Sequence, residues 1–288
     1  MAGPPDDQLC MLSVHAHPDD EASKGAATVA KYHHEGIRNV LVCCTGGEEG
    51  DIHNPAMDRP EVRQHLAEVR AAELAESVRI IGYDVVEMLG YRDSGMPESP
   101  SNTHPNAFWA APLHESVGAL VAMIRRHRPQ VILTYNDDQS GYPHPDHLRV
   151  HDISVAAFDL AGDPNAYPDA GEPWTPSKLY YTVWSRARMQ ALHDAFGERG
   201  LESPFTPEWF ERPDHDHRIT SRVAIGPWWD VRRDALLAHA TQIDPESPFW
   251  FGLPDDVART IHPFEDYILA QSRVHVDLPE DDLFAGLR

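Results

Sequence analysis

The sequence predicts an α/β fold, a Rossmann-like and mainly parallel sheet with helices on both faces. Three observations carry this. Short apolar runs, LCMLSV, VLVCC and VILTY, are too brief for buried helices and suit strands covered on both sides. Amphipathic stretches of helical spacing alternate with them. Each run also stops abruptly in a polar loop, and ligands of such sheets bind beyond the C-terminal strand ends.

Taken in order, Leu9 to Val14 is the first strand and ends in His15-Ala16-His17-Pro18. Ala22 to Glu35 has helical spacing, with Gly36 placed to cap it. Val40 to Cys44 is the second strand and runs into Thr45-Gly46-Gly47. Pro60 opens a long helix, Glu61 to about Ile80, because its fixed φ suits a first helical turn and its missing N–H has no partner there anyway. Val85 to Leu89 is the third strand, and a Pro-rich loop follows from Tyr91 to Pro112. Leu113 to His127 reads as a helix stopped by Pro129. Val131 to Tyr135 is the fourth strand, and a second polar loop leads to a helix from about His147 to Leu160. Beyond Gly162 the chain is broken by Pro164, Pro168, Pro173 and Pro176. Lys178 to Trp184 reads as a strand, Arg186 to Phe196 and Trp228 to Ala240 as helices, and Asp277 to Arg288 as a surface tail. We expect one domain over 1–288, an α/β core (1–162) with a smaller C-terminal portion (163–288) packed on it.

Composition narrows the function. With 24 basic against 46 acidic residues the net charge is −22, and such a surface repels phosphate backbones and anionic lipid. Nucleic acid is therefore not an expected partner. No apolar run approaches the roughly 18 residues of a membrane span, and Met1 to Asp7 has neither the basic start nor the apolar run of a signal peptide. The three cysteines, Cys10, Cys43 and Cys44, are odd in number and two are adjacent, which points to a reducing cytoplasm. The 18 His are the unusual feature, because several stand beside Asp and Pro.

Two clusters collect them. In His15-Ala16-His17-Pro18-Asp19-Asp20-Glu21, His17 and Asp20 are spaced so that an imidazole and a carboxylate can converge on one metal ion, leaving Asp19 to handle a proton. Gly141-Tyr142-Pro143-His144-Pro145-Asp146-His147 follows another strand and can supply a third ligand. Two His, one carboxylate and an open position suit a hydrolytic zinc site and equally the non-haem iron triad. One His-Pro-Asp turn alone is ordinarily a turn with Asp capping a helix; two at strand ends favour a metal. Asp146, two residues from His144, is placed to fix its tautomer and favour its charged form; the plain alternative is a helix N-terminal carboxylate.

These residues resemble a known family. His17-Pro18-Asp19-Asp20-Glu21 together with Pro143-His144-Pro145-Asp146-His147 is similar to the motif pair of LmbE-like (PIG-L type) zinc deacetylases. Lys24-Gly25-Ala26-Ala27-Thr28, Asn54-Pro55-Ala56-Met57-Asp58-Arg59-Pro60, Asp93-Ser94-Gly95-Met96-Pro97 and His239-Ala240-Thr241-Gln242-Ile243-Asp244-Pro245 resemble its mycothiol S-conjugate amidase branch, and the likeness runs from Leu12 to Leu287. It implies cleavage of the amide between glucosamine and N-acetylcysteine, giving a mercapturic acid and glucosaminyl-inositol. It implies one zinc ion, with ferrous iron as the alternative, on His17, Asp20 and His147. It maps Asp19 onto the general base, His144 onto the imidazole near the tetrahedral intermediate, and Tyr142 onto a carbonyl-polarising phenol. Arg70 and Asp93 map onto groups that hold sugar and inositol hydroxyls, and Lys24 onto a substrate contact of the amidase branch.

Other readings remain beside this one. A pathway-dedicated amidase would trim a mycothiol-bound natural-product intermediate, and an N-acetylglucosaminyl-inositol deacetylase would use the same machinery. A non-haem iron oxygenase is a different class. So is a non-catalytic sugar-thiol binder, although binding alone does not need Asp19. His15 reads as strand-end scaffolding and Cys43 and Cys44 as core. Gly46-Gly47-Glu48-Glu49-Gly50 matches no phosphate-loop pattern, and Asp214-His215-Asp216-His217 reads as an exposed loop. Trp228-Trp229 and Phe249-Trp250-Phe251 are core by default, with an apolar pocket for the thiol adduct as the alternative.

Overall fold

The apolar runs form strands where expected in the computed structural model, which describes residues 8–288; the Met1 to Asp7 segment lies outside them. In chain order the elements are β1 (Cys10–His15), α1 (Asp20–Ser23), α2 (Ala26–His34), β2 (Arg38–Thr45), α3 (Pro60–Gln64), α4 (Leu66–Ile81), β3 (Val85–Tyr91), α5 (Leu113–His127), β4 (Val131–Tyr135), α6 (Pro145–Leu160), β5 (Lys178–Val183), α7 (Arg186–Glu198), α8 (Pro207–Glu211), β6 (Ser221–Ala224), α9 (Trp229–Ala238), α10 (Pro248–Phe251), α11 (Asp255–Ile261) and β7 (Phe264–Ser272). They build one seven-stranded sheet in the order β3-β2-β1-β4-β5-β7-β6. The first five strands are parallel, and β7 and β6 extend the sheet antiparallel.

The strand order reverses beside β1. The chain winds outward through β2 and β3, then returns to lay β4 against the other side of β1. Loops leaving neighbouring strands in opposite directions open a crevice at such a switch point, so the two His-rich turns share one mouth.

Alternation along the strands divides the core. Leu12, Val14, Val40 and Val42 face one layer with Leu120, Ile124 and Ile153 of α5 and α6. Met11, Leu133 and Tyr180 face the other, with Val29 and Tyr32 of α2 and Leu236 of α9. Each such side chain, fully buried, contributes about 1.5–3 kcal/mol. At the sheet edge, β3 is only half buried in alternation.

Several expected elements differ. The helix expected over 22–35 is two helices, because Gly25 takes φ +102° and turns the chain between α1 and α2. The one expected over 61–80 breaks at His65, whose φ −122° and ψ 29° leave the helical region. Strands β6 and β7 were not read from the sequence. In β7 the charged pair Glu265 and Asp266 disguises a strand, yet both are buried: Glu265 accepts the Thr28 N–H and Asp266 accepts from the Ser185 hydroxyl. The C-terminal stretch is not a surface tail. Leu283 and Phe284 are fully buried, Phe284 packs edge-on to Tyr32, and the Tyr32 hydroxyl joins Asp282 and the Leu283 N–H. Cys10, Cys43 and Cys44 are free and buried. Among the described residues no helix is long and apolar enough to cross a membrane.

Candidate active site

The turn after β1 brings His17 and Asp20 together, and α6 brings His147 to them. One carboxylate oxygen of Asp20, Oδ2, lies 3.5 Å from His17 Nδ1 and 3.4 Å from His147 Nε2, and it accepts the His17 backbone N–H at 3.0 Å. The three donors lie within 4.8 Å of one another and are buried. Two imidazoles and one carboxylate, packed this closely, fit a divalent cation of zinc type. Burial lowers the His147 pKa to about 4, so its ring is neutral and able to ligate. Burial works against the Asp20 charge, but Lys24 and His147 outweigh it and hold the carboxyl well below its usual range.

Lys24 bonds the other Asp20 oxygen, Oδ1, through Nζ, and its ammonium lies 5.4 Å from the Tyr135 ring centroid. The side chain expected at substrate therefore rests on a candidate ligand, although it still borders the cavity. His15 acts as scaffolding, with Nδ1 3.3 Å from the Tyr135 hydroxyl.

Asp146 corrects an expectation. Its carboxylate does not reach His144. It lies 3.2 Å from His17 Nε2 and is clamped by Ser94, through the backbone N–H at 2.9 Å and through the hydroxyl. What His144 receives is the Asp146 backbone N–H, on Nδ1 at 3.2 Å, as the N-cap of α6. Pro145 at the first helical position leaves that turn pre-organised. Burial, helped by the neighbouring His17, lowers the His144 pKa. His144 packs edge-on to His17 at 4.6 Å between centroids. Tyr142 is half exposed above, 5.3 Å from the His147 ring. Asp93 is buried with Oδ1 3.5 Å from His17 Nε2; burial disfavours its charge, but His17 outweighs it and keeps the carboxyl ionised. His17, Asp93 and His144 thus form a second close set sharing His17.

Asp19 stands apart from the ligand set with φ 112° and ψ −26°, a conformation that costs a non-glycine residue of order 1–3 kcal/mol. Burial, with Asp20 adding to it, raises its pKa against the pull of Arg70. Arg70 is 2% exposed. Its guanidinium is committed to protein, donating to the Pro18 carbonyl, to Gly47 O at 2.5 Å and to Asp19 Oδ2 at 3.0 Å. Gly47 permits this, since a Cβ there would overlap the guanidinium. Arg70 borders the cavity but holds the Asp19 turn rather than projecting freely to bind hydroxyls.

The cavity above this floor is about 1060 Å³. It is lined by the carboxylates of Glu49, Asp51, Asp93 and Asp244 and by an aromatic cluster of Trp184, Trp209, Phe249 and Trp250. Trp184 and Phe249 stack 5.7 Å apart, and Arg212 lies 3.6 Å above the Trp209 ring. Phe249 and Trp250 thus pack against the core, as expected, and also line the cavity, while Phe251, Trp228 and Trp229 stay outside it. His215 reaches the rim, and Asp216 caps α7 by accepting the Arg186 N–H. Ser94, Trp184 and Trp209 were missed in sequence. Ser94 lay inside the quoted Asp93-Ser94-Gly95 segment, whose only signal was resemblance.

A profile for the family described as PIG-L, GlcNAc-PI de-N-acetylase, matches residues 12–158, from β1 through the second His-rich turn and nearly all of α6. The chain belongs to the PIG-L family. Among PIG-L relatives, the mycothiol S-conjugate amidase of Streptomyces coelicolor is 45% identical over 98% of this chain and 98% of its own length. The 1D-myo-inositol 2-acetamido-2-deoxy-alpha-D-glucopyranoside deacetylase of Streptomyces avermitilis is 38% identical over 96% of this chain and 97% of its own. The N,N'-diacetylchitobiose deacetylase of Pyrococcus horikoshii shares the fold, with a TM-score of 0.62 at 18% identity over 91% of this chain and 83% of that one. These relatives are amidases and deacetylases, and this PIG-L chain is a hydrolase of that family.

Proposed function

We propose that the chain is a metal-dependent amidase that splits mycothiol S-conjugates at the amide between glucosamine and N-acetylcysteine. The observation that carries this is the His17, Asp20 and His147 set beside Asp19, in a cavity lined by carboxylates and by an aromatic cluster. The carboxylates suit the neutral hydroxyls of glucosaminyl-inositol, and the aromatic cluster suits a varied sulfur substituent. We place the enzyme in the reducing cytoplasm on its three unpaired, buried cysteines.

His17 Nδ1, Asp20 Oδ2 and His147 Nε2 would hold one zinc or ferrous ion. When bound, such an ion lowers the pKa of water from 15.7 toward about 7 and polarises a carbonyl oxygen. Asp19 takes the proton of the attacking water at its carboxylate, which Arg70 orients through Oδ2. The Tyr142 hydroxyl and the His144 imidazole donate to the oxygen on which negative charge develops. The glucosamine nitrogen leaves only when protonated, and Asp19 or His144 returns that proton. Asp93 and the neighbouring carboxylates accept from substrate hydroxyls, and a ligand lacking those hydroxyls leaves buried acceptors unpaired.

The test is product analysis with three substrates: a conjugate with a bulky apolar sulfur group, the same conjugate without inositol, and acetylglucosaminyl-inositol. The amidase reading expects kcat/KM to be highest for the first, with loss of inositol hurting more than a change of sulfur group. Equal or faster release of acetate from the third moves the protein to the deacetylase reading, which its 38% identity to such an enzyme keeps in view. Strong preference for one natural-product adduct indicates a biosynthetic amidase.

A further inference from the structure

Asp19 holds a backbone conformation its own chemistry does not favour, so something outside the turn must impose it. The Asp19 backbone N–H donates to Glu21 Oε2 at 2.9 Å. The other oxygen of that carboxylate, Oε1, accepts from the Ser77 hydroxyl of α4 at 2.5 Å and from His239 Nε2 at 2.6 Å. Glu21, Ser77 and His239 are all fully buried. A carboxylate only accepts, so all three contacts are donated to it and its position is fixed from three directions. His239 in turn follows directly on α9. The next residues tie that segment down, as Thr241 donates its N–H and its hydroxyl to the two oxygens of buried Glu73, both at 2.7 Å. Glu21, Glu73, Ser77, His239 and Thr241 do not border the cavity, whereas Asp19 does.

We propose that His239, acting through Glu21, is a positioning residue for Asp19: it fixes the carboxylate that pins the Asp19 N–H and so aims the base. The inference rests on the reading of Asp19 as the base. Arg70 fixes the same turn from the side-chain end, whereas His239 and Glu21 fix it from the backbone end. Loss of the His239 contact frees Glu21 and lets Asp19 relax toward ordinary backbone angles, which moves its carboxylate without disturbing the donors of Asp20, His17 and His147.

The experiment compares His239→Gln, which keeps an N–H for Glu21, with His239→Leu, which fills space without a donor. Both are made in the full chain, zinc-loaded, and assayed on a mycothiol S-conjugate. Misplacement of about 1 Å costs up to 10²-fold, so His239→Leu should lose about 10- to 100-fold in kcat, with KM and zinc content retained. His239→Gln should stay within about threefold of wild type on the same scale. In an Asp19→Ala background the Leu change should add almost nothing, as for two residues acting through one path. Should the Leu variant fail to fold, Ser77→Ala removes one donor from the same oxygen and enters the same cycle, with a smaller kcat loss that must also vanish beside Asp19→Ala. A Leu variant with wild-type kcat, an equal loss in the Asp19→Ala background, or a Gln variant as impaired as Leu overturns this inference alone. Wild-type turnover by Asp19→Ala overturns the reading of the base and this inference with it.

Discussion

Nε2 of His17 stands 3.2 Å from the Asp146 carboxylate. The carboxylate cannot donate, so a ring proton sits on Nε2, and Nδ1, which faces Asp20 at 3.5 Å, is the nitrogen that would be deprotonated to hold a metal ion. Partners of this kind fix the tautomer of a ligating imidazole, and losing one typically costs 10- to 100-fold in metal affinity. We expect Asp146→Asn to weaken zinc binding by about that factor in chelator competition, and His147→Ala to lose the metal altogether. Wild-type zinc occupancy in His147→Ala would remove that residue from the ligand set.

Asp19→Ala should keep its metal and lose turnover. A general base typically contributes 10²–10⁴-fold, and the side chain shares no ligand contact with His17 or His147. The paired measurement is zinc content and kcat on one preparation; bound zinc with near-normal kcat would exclude Asp19 as the base. His144→Ala should likewise retain zinc.

The His239–Glu21 contact also sets a pH dependence of stability. Burial works against the His239 charge, but Glu21 outweighs it and raises the pKa. A raised imidazole pKa stabilises the fold fully below its unfolded value of about 6.5, and that contribution is lost as pH rises through the folded value. Chelator-treated protein should therefore lose stability on the alkaline side of about pH 6.5. In His239→Gln the slope should flatten there. Urea unfolding across that range measures both, and parallel curves would refute the linkage.

The C-terminal stretch should be needed for folding. Phe284 is fully buried against Tyr32, and truncating a buried Phe to Ala typically costs 3–5 kcal/mol. Phe284→Ala should shift the urea midpoint accordingly with kcat unchanged at temperatures where the protein remains folded. A change under about 1 kcal/mol would mean that the site collapses around the gap.

Trp250 offers a test of the aromatic cluster. Trp250→Ala should raise KM for conjugates with bulky apolar sulfur groups and leave acetate release from acetylglucosaminyl-inositol unaffected. Equal effects on both would assign Trp250 to general packing.

The strands and the two His-rich turns were legible because they are written in contiguous residues: a buried parallel strand is an apolar run, and a ligand turn is a short polar word at its end. What escaped depended on partners far along the chain. Asp146 lies two residues from His144, and proximity in sequence suggested a pair, but the first turn of α6 points its carboxylate at His17 and Ser94. Arg70 carries no local signal beyond the resemblance; only the fold brings Gly47, Pro18 and Asp19 around it. Glu265 and Asp266 hid β7, because burial of a carboxylate is invisible until its donors, Thr28 N–H among them, are known. The helix breaks at Gly25 and His65 follow from tertiary placement that local spacing does not encode.

The catalytic turn and its lock are separated by synthesis time. His239 follows Glu21 by 218 residues, and the Leu283 N–H reaches a Tyr32 hydroxyl 251 residues behind it. At a translation rate of about 5–20 residues per second, the HPDDE turn waits roughly 10–40 seconds on the ribosome before His239 is even made. A nascent or prematurely terminated chain thus carries its ligand turn with the backbone of Asp19 unsecured and the floor of α2 open. The backbone end of the turn is therefore secured only once His239 has emerged, long after the turn's own residues were made.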